Sequence, residues 1–195
     1  MSRPPPRLIV HPLRSPPAGC DRDRLIEVLR ELGLVGDNID QDDFAAGPGF
    51  LDYISFLGCS PQVILAMAED RESGGCGREG AYIHIPRETS AHLLVDANAR
   101  PPRCPQCHKV DADWRRQWLT VQAAEPVCGH CGTASPAERW QWGRGGGWVG
   151  LHAGIVGLHP EETVPSHGLV EAIAESCGGE WRTFYLVSPM EGANP

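Results

Sequence analysis

Lysine, long apolar runs and catalytic signatures are what the chain has least of. Lys109 is its only lysine among 17 basic residues, and the arginine excess reads as a coding bias. No apolar stretch approaches the ~20 residues that a membrane-spanning helix needs. The first twenty residues hold no apolar run longer than Leu8-Ile9-Val10, which argues against a secretory signal. Asn38, Asn98 and Asn194 all lack the Ser or Thr two residues on that glycosylation requires. These absences predict a cytoplasmic chain with no membrane attachment. No G-x-S-x-G elbow, H-E-x-x-H pair or dinucleotide fingerprint occurs. The run Gly74-Gly75-Cys76-Gly77 lacks the Lys and the following helix of a phosphate cradle, so it reads as a loop.

What is present fits a globular chain. Its 195 residues are 41% apolar and 22% charged, enough for one domain or a small domain with an insert. Twenty-three Gly and 18 Pro predict many turns and short elements. The net charge of -8 is uneven: residues 101–147 carry +2, while each flank carries -5. Four thiolates on one divalent ion would bring the middle segment to neutrality. An acidic body with a neutral centre matches a phosphate backbone poorly, which disfavours nucleic acid as the partner.

The expected fold class is α+β: a single mixed-sheet domain with an inserted metal-binding segment and a C-terminal strand–helix–strand unit. Residues 1–20 read as a Pro-rich extended arm. Residues 21–100 and 148–190 form the body, and 101–147 the insert with its Gly-rich joint. Asp21 is placed to cap a helix over 22–32, with Leu25, Ile26, Leu29 and Leu32 on one face. The acidic stretch 37–43 reads as a solvated loop. Phe50, Leu51, Ile54 and Leu57 recur at helical spacing, and Val63–Ala68 reads as a buried strand ahead of a polar loop from Glu69. Strands are expected at 82–86 and 92–96, joined by a short turn, and at 148–158. A helix over 166–177, capped by Ser166, precedes a strand at 181–187. That last unit can set two strands parallel in one sheet with a third between them. No internal repeat is read from the sequence.

Cys104-Pro105-Gln106-Cys107 is followed, after twenty residues, by Cys128-Gly129-His130-Cys131-Gly132. Two residues between cysteines let a tight turn aim both sulfurs at one ion while backbone N–H groups donate to the thiolates. Cys104, Cys107, Cys128 and Cys131 are therefore the expected metal ligands. The segment resembles the zinc-ribbon class over about 40 residues. That resemblance implies one structural zinc ion, two knuckles on β-hairpins, and strands in the Trp-containing stretch between them. Iron in a rubredoxin-like site is an alternative, with His108 standing where a Gly would be expected, and a redox dithiol is another. Four cysteines fill a tetrahedral shell, so His108 and His130 read as outer groups. Cys20, Cys59, Cys76 and Cys177 are scattered, with Cys76 the one reactive candidate.

Three functions remain open at this level. The first is a non-enzymatic protein-interaction or adaptor module with a protein partner. The second is a nucleic-acid factor using Trp114, Trp118, Trp140 and Trp142 among Arg103, Arg115, Arg116, Arg139 and Arg144. Packing over the metal site is the competing role for those Trp, with Trp118 or Trp140 expected to be the most exposed. The third is an enzyme built on His84, His152 and His159, with Glu161 or Glu162 nearby. On the 148–158 strand, His152 shares a face with Gly150 and Gly154, a pattern that invites close approach by a backbone or ligand. No catalytic or small-molecule-binding residue is assigned.

Overall fold

A computed structural model describes residues 4–57, 80–112, 114–121 and 125–190. The strand expected at Val63–Ala68, most of the loop after it, Cys59 and Cys76 lie outside the described residues. The fold is α+β. Among the described residues the ten strands are β1 (Arg7–Pro12), β2 (Val35–Asn38), β3 (Asp43–Ala46), β4 (Ile54–Phe56), β5 (Tyr82–His84), β6 (His92–Val95), β7 (Gly146–Val149), β8 (Ala153–Val156), β9 (Thr163–Pro165) and β10 (Trp181–Leu186). Four helices are interleaved with them: α1 (Arg22–Glu31), α2 (Phe50–Tyr53), α3 (Trp114–Val121) and α4 (His167–Cys177).

Six strands form one sheet in the order β10-β1-β8-β5-β3-β2. β1 runs antiparallel to both β10 and β8, so those two are parallel to each other with β1 between them. The C-terminal strand–helix–strand unit thus has the expected arrangement. Its third strand comes from the segment read as an arm, which corrects that reading. Leu8, Ile9 and Val10 are at most 1% exposed, and the Pro residues flank the run without interrupting its ladder.

Alternation of side chains divides the sheet into two faces. Leu8, Val10, Ile83, Ile85, Ala153 and Ile155 pack under α1 and α4 in an aliphatic core. The helices supply Leu25, Val28, Leu29, Leu169 and Ile173. Asp21 caps α1 by accepting from the Arg24 N–H at 2.9 Å, as its spacing predicts. Ser166 stands at the N-terminus of α4 without a side-chain capping bond. On the opposite face, Ile9, Phe184 and Leu186 pack against Val149 and Leu94 of the separate β6–β7 pair.

Several local expectations change on folding. The acidic stretch is a hairpin, closed where the Ile39 and Asp40 N–H groups both donate to the Asp43 carbonyl. The helix at Phe50 lasts one turn, because Ile54 joins β4 and pairs with β9. Leu51 and Leu57 are then left 60% and 56% exposed. Strands β5 and β6 are not a hairpin: β5 lies between β3 and β8, whereas β6 pairs with β7. The strand expected over 148–158 is cut at Gly150–His152, where the chain crosses from the β6–β7 pair to the large sheet. A Cβ on Gly150 would come within 2.8 Å of the Thr89 carbonyl, so this crossing needs the close backbone approach that the glycine pattern suggests. Gly146 and Gly147 belong to β7, and the Gly-rich joint is in part a strand.

Candidate metal centre

The sulfurs of Cys104, Cys107, Cys128 and Cys131 all lie within 4.8 Å of one another. Cys104 and Cys131 are 3.8 Å apart, and Cys107 and Cys128 3.7 Å. Four thiolates at the usual ~2.3 Å from a tetrahedral ion have sulfurs about 3.8 Å apart, so the spacing fits a four-sulfur metal site. Among the described residues this is the one cluster of His, Cys, Asp or Glu with metal-binding spacing.

Both knuckles have the same backbone. In the first, the Cys104 carbonyl accepts from His108 N–H, the Cys104 N–H donates to Lys109, and Gln106 N–H donates to the Cys104 sulfur at 3.3 Å. In the second, Cys128 accepts from Gly132, donates to Thr133, and its sulfur receives the His130 N–H at 3.4 Å. Bridges Arg103–Val110 and Val127–Ala134 flank them, and Asp111 to Pro102 and Ser135 to Pro126 close their outer ends. Pro102–Asp111 is thus repeated by Pro126–Ser135. The signal in the sequence is the recurrence of P-x-C-x-x-C, masked by divergence at nearly every other position.

The equivalence extends to backbone handedness. Gly132 has φ 69°, and His108, at the matching position, has φ 57°, the only positive value at a described non-glycine residue. That conformation costs roughly 1–2 kcal/mol for a residue with a Cβ. His108 therefore occupies a glycine site without disturbing the turn. The His130 Nε2 is 3.1 Å from the Val110 carbonyl, where it links one knuckle to the other, and His130 is not part of the four-sulfur cluster. Thr133 holds the Cys131 thiol down to about 6, first through its hydroxyl and then through its backbone N–H.

The stretch between the knuckles holds α3, which corrects the expectation of strands there. Trp114 and Trp118, four residues apart, share one helical face and enter the core. Trp118 meets Trp140, Trp142 and Trp148 edge to face at 5.5, 5.1 and 6.1 Å between ring centroids. Trp114 meets Trp142 at 5.2 Å. These rings, with Leu93, Val95 and Ala99, pack around buried Cys104 and Cys128, so the metal module's core takes in β6 and β7. Trp118 and Trp140 are 1% and 3% exposed, contrary to their expected exposure. Three of the buried indole N–H groups, on Trp114, Trp118 and Trp142, have no hydrogen-bond acceptor among the described residues. Ring packing offsets that cost only in part.

The histidines separate into two sites. His84 Nδ1 lies 2.6 Å from Asp43 Oδ1, as the β3–β5 register places them opposite one another. His152 is buried, with Nδ1 2.7 Å from the Gly150 carbonyl and its ring 6.4 Å from that of His92. Desolvation pulls its pKa down to about 4, so it is neutral at pH 7. His159 stays exposed in the turn before β9, and Glu161 and Glu162 are exposed there too. The His84 charge acts on His152, so these two are neighbours, while His159 lies in the exposed turn.

Sequence reasoning missed His11 and Arg182. Arg182 donates to His11 Nε2 at 2.9 Å, to the Trp142 carbonyl at 3.0 Å and to the Gly146 carbonyl at 2.9 Å. It pins the metal module to β10 and β1. Burial, then the Arg182 charge, pulls His11 down to about 3. The signal for Arg182 was a charged residue in register with Phe184 and Leu186 on an otherwise apolar strand face.

No family model matches the chain, and no curated protein or solved structure matches it. Among the described residues no helix is long and apolar enough to cross a membrane.

Proposed function

We propose that Cys104, Cys107, Cys128 and Cys131 hold one structural zinc ion in a zinc-ribbon-like insert. The chain then acts as a non-enzymatic, cytoplasmic protein-interaction or adaptor module. The observation that carries this reading is the closed set of four sulfurs at tetrahedral spacing, two of them sealed by the Trp core. Such a shell leaves no position for a metal-bound water, so its work is to fold and stiffen. An α+β body of residues 21–100 and 148–190, with the segment 1–20 contributing a strand, carries the insert, and the insert's core extends onto β6 and β7. Leu51, Leu57 and Val164, on the α2–β4–β9 layer, are 60%, 56% and 45% exposed and offer apolar surface to a protein partner.

Nucleic acid is the second reading. Exposed Arg103, Arg115, Arg116, Arg139 and Arg144 favour it. Burial of the Trp rings removes the stacking platform, and the net charge of -8 opposes it. Metal analysis of the purified chain tests the site, with one zinc per chain expected and iron reported by colour. Affinity purification from the source cell tests the role. A partner retained after nuclease treatment and lost with Leu57→Glu and Val164→Glu supports the adaptor reading; retention that depends on nucleic acid overturns it.

A further inference from the structure

Two cysteines that are distant in sequence meet at the end of the helical layer. Cys20 precedes the α1 cap, and Cys177 is the last residue of α4. Both belong to the aliphatic core, 4% and 8% exposed. Two turns clamp them together. Cys20 N–H donates to the Pro17 carbonyl at 3.0 Å, closing the first turn, and Leu13 N–H donates to Glu180 at 2.7 Å beside the second. The Pro17 ring is seated on Gly178 and Gly179, so closely that a Cβ on Gly179 would lie 2.7 Å from it. The Cys20 and Cys177 thiols are left within hydrogen-bonding reach of each other. Neither belongs to the four-sulfur cluster.

We infer that Cys20 and Cys177 form a dithiol site that takes a disulfide-class oxidant and closes to an intramolecular disulfide, tying the N-terminal turn to the end of α4. One thiolate attacks the oxidant's S–S bond and forms a mixed disulfide, releasing one thiolate. The second cysteine attacks that mixed disulfide, forms the Cys20–Cys177 bond and releases the other thiolate. The two protein protons end on the two released thiols, so the protein is oxidised by two electrons and the oxidant reduced by two. Burial and the neighbouring Cys177 thiol push the Cys20 pKa up to about 12, so Cys20 stays protonated at neutral pH and exchange through it is slow. A bond between positions near the two ends of the chain constrains the unfolded state strongly.

The inference is independent of what the zinc module binds. To test it, the zinc-loaded full chain is incubated with oxidised glutathione, alkylated and mapped as non-reduced peptides. The expected result is a Cys20–Cys177 cross-linked peptide lighter by two hydrogens, with a Tm raised by several degrees and restored by dithiothreitol. Cys20→Ala and Cys177→Ala each abolish the cross-link and the Tm rise and keep the zinc. Both thiols remaining alkylatable or merely glutathionylated would overturn the inference. So would a cross-link from either cysteine to Cys59 or Cys76, or an unchanged Tm rise in Cys20→Ala. The wild-type peptide map decides the matter even where a variant fails to fold.

Discussion

The six-stranded sheet and the metal module solve the same problem, burying a core, by different means. The sheet gathers strands from both ends of the chain around aliphatic side chains and two helices. The module has one two-stranded pair, one short helix and isolated bridges, with buried Trp rings packed around two of four clustered sulfurs. Elements this sparse rarely hold a core unaided, and an ion on the four sulfurs, as proposed, would supply the missing free energy. The sheet half should therefore be indifferent to metal removal, and the module should not.

The largest effect expected is from Cys104→Ser or Cys128→Ser. Structural zinc in small modules contributes about 10–16 kcal/mol of binding free energy, so loss of a ligand should unfold the module. Zinc content and near-ultraviolet circular dichroism, dominated by Trp, report it. Undiminished zinc in both variants would remove the assignment. Trp118→Ala should come next, costing about 3–5 kcal/mol and loosening metal retention. Ile83→Ala, in the sheet core, should cost about 2–5 kcal/mol yet leave metal affinity unchanged. If the two variants affect metal retention alike, the two cores are not separate.

Acid should act on the region where the two halves meet. His11 and His152 have pKa values pulled down to about 3 and about 4, so the unfolded chain binds more protons than the folded one. Stability is therefore fully present above about pH 6.5 and falls as pH drops toward those values. Each histidine contributes about 1.4 kcal/mol per pH unit within its window. Denaturant unfolding across pH 7 to 4.5 checks the slope, and His152→Gln should flatten it. The smallest effect is a gain: His108→Gly should relieve the left-handed backbone by about 1 kcal/mol in module stability. Thermal unfolding of the metal-loaded chain reads that shift, with Gly132→Ala expected to move it the other way.

Legibility in the sequence followed the range of the interactions. The capped helix at Asp21, the helix ending at Cys177 and the strand from Trp181 were readable because caps and periodicity are local. Strand β1 was not. Its three apolar residues sit among prolines, and only partners about 145 residues away in β8 and about 175 away in β10 make them a strand. The four ligands were readable from two local turns, but not the repeat that contains them. Helix α3 was within reach, since Trp114 and Trp118 stand at helical spacing, although the ribbon resemblance argued for strands. Arg182 and His11 meet only through tertiary packing, and no local pattern would have paired them.

The central claim is that the metal folds the module and leaves the sheet standing. Peptide-resolved hydrogen exchange on the zinc-loaded chain, before and after chelation, tests it most directly. Protection should be lost across residues 92–149 and kept in β1, β5, β8, α1 and α4. Protection that falls equally in both halves, or that survives chelation throughout, would contradict it.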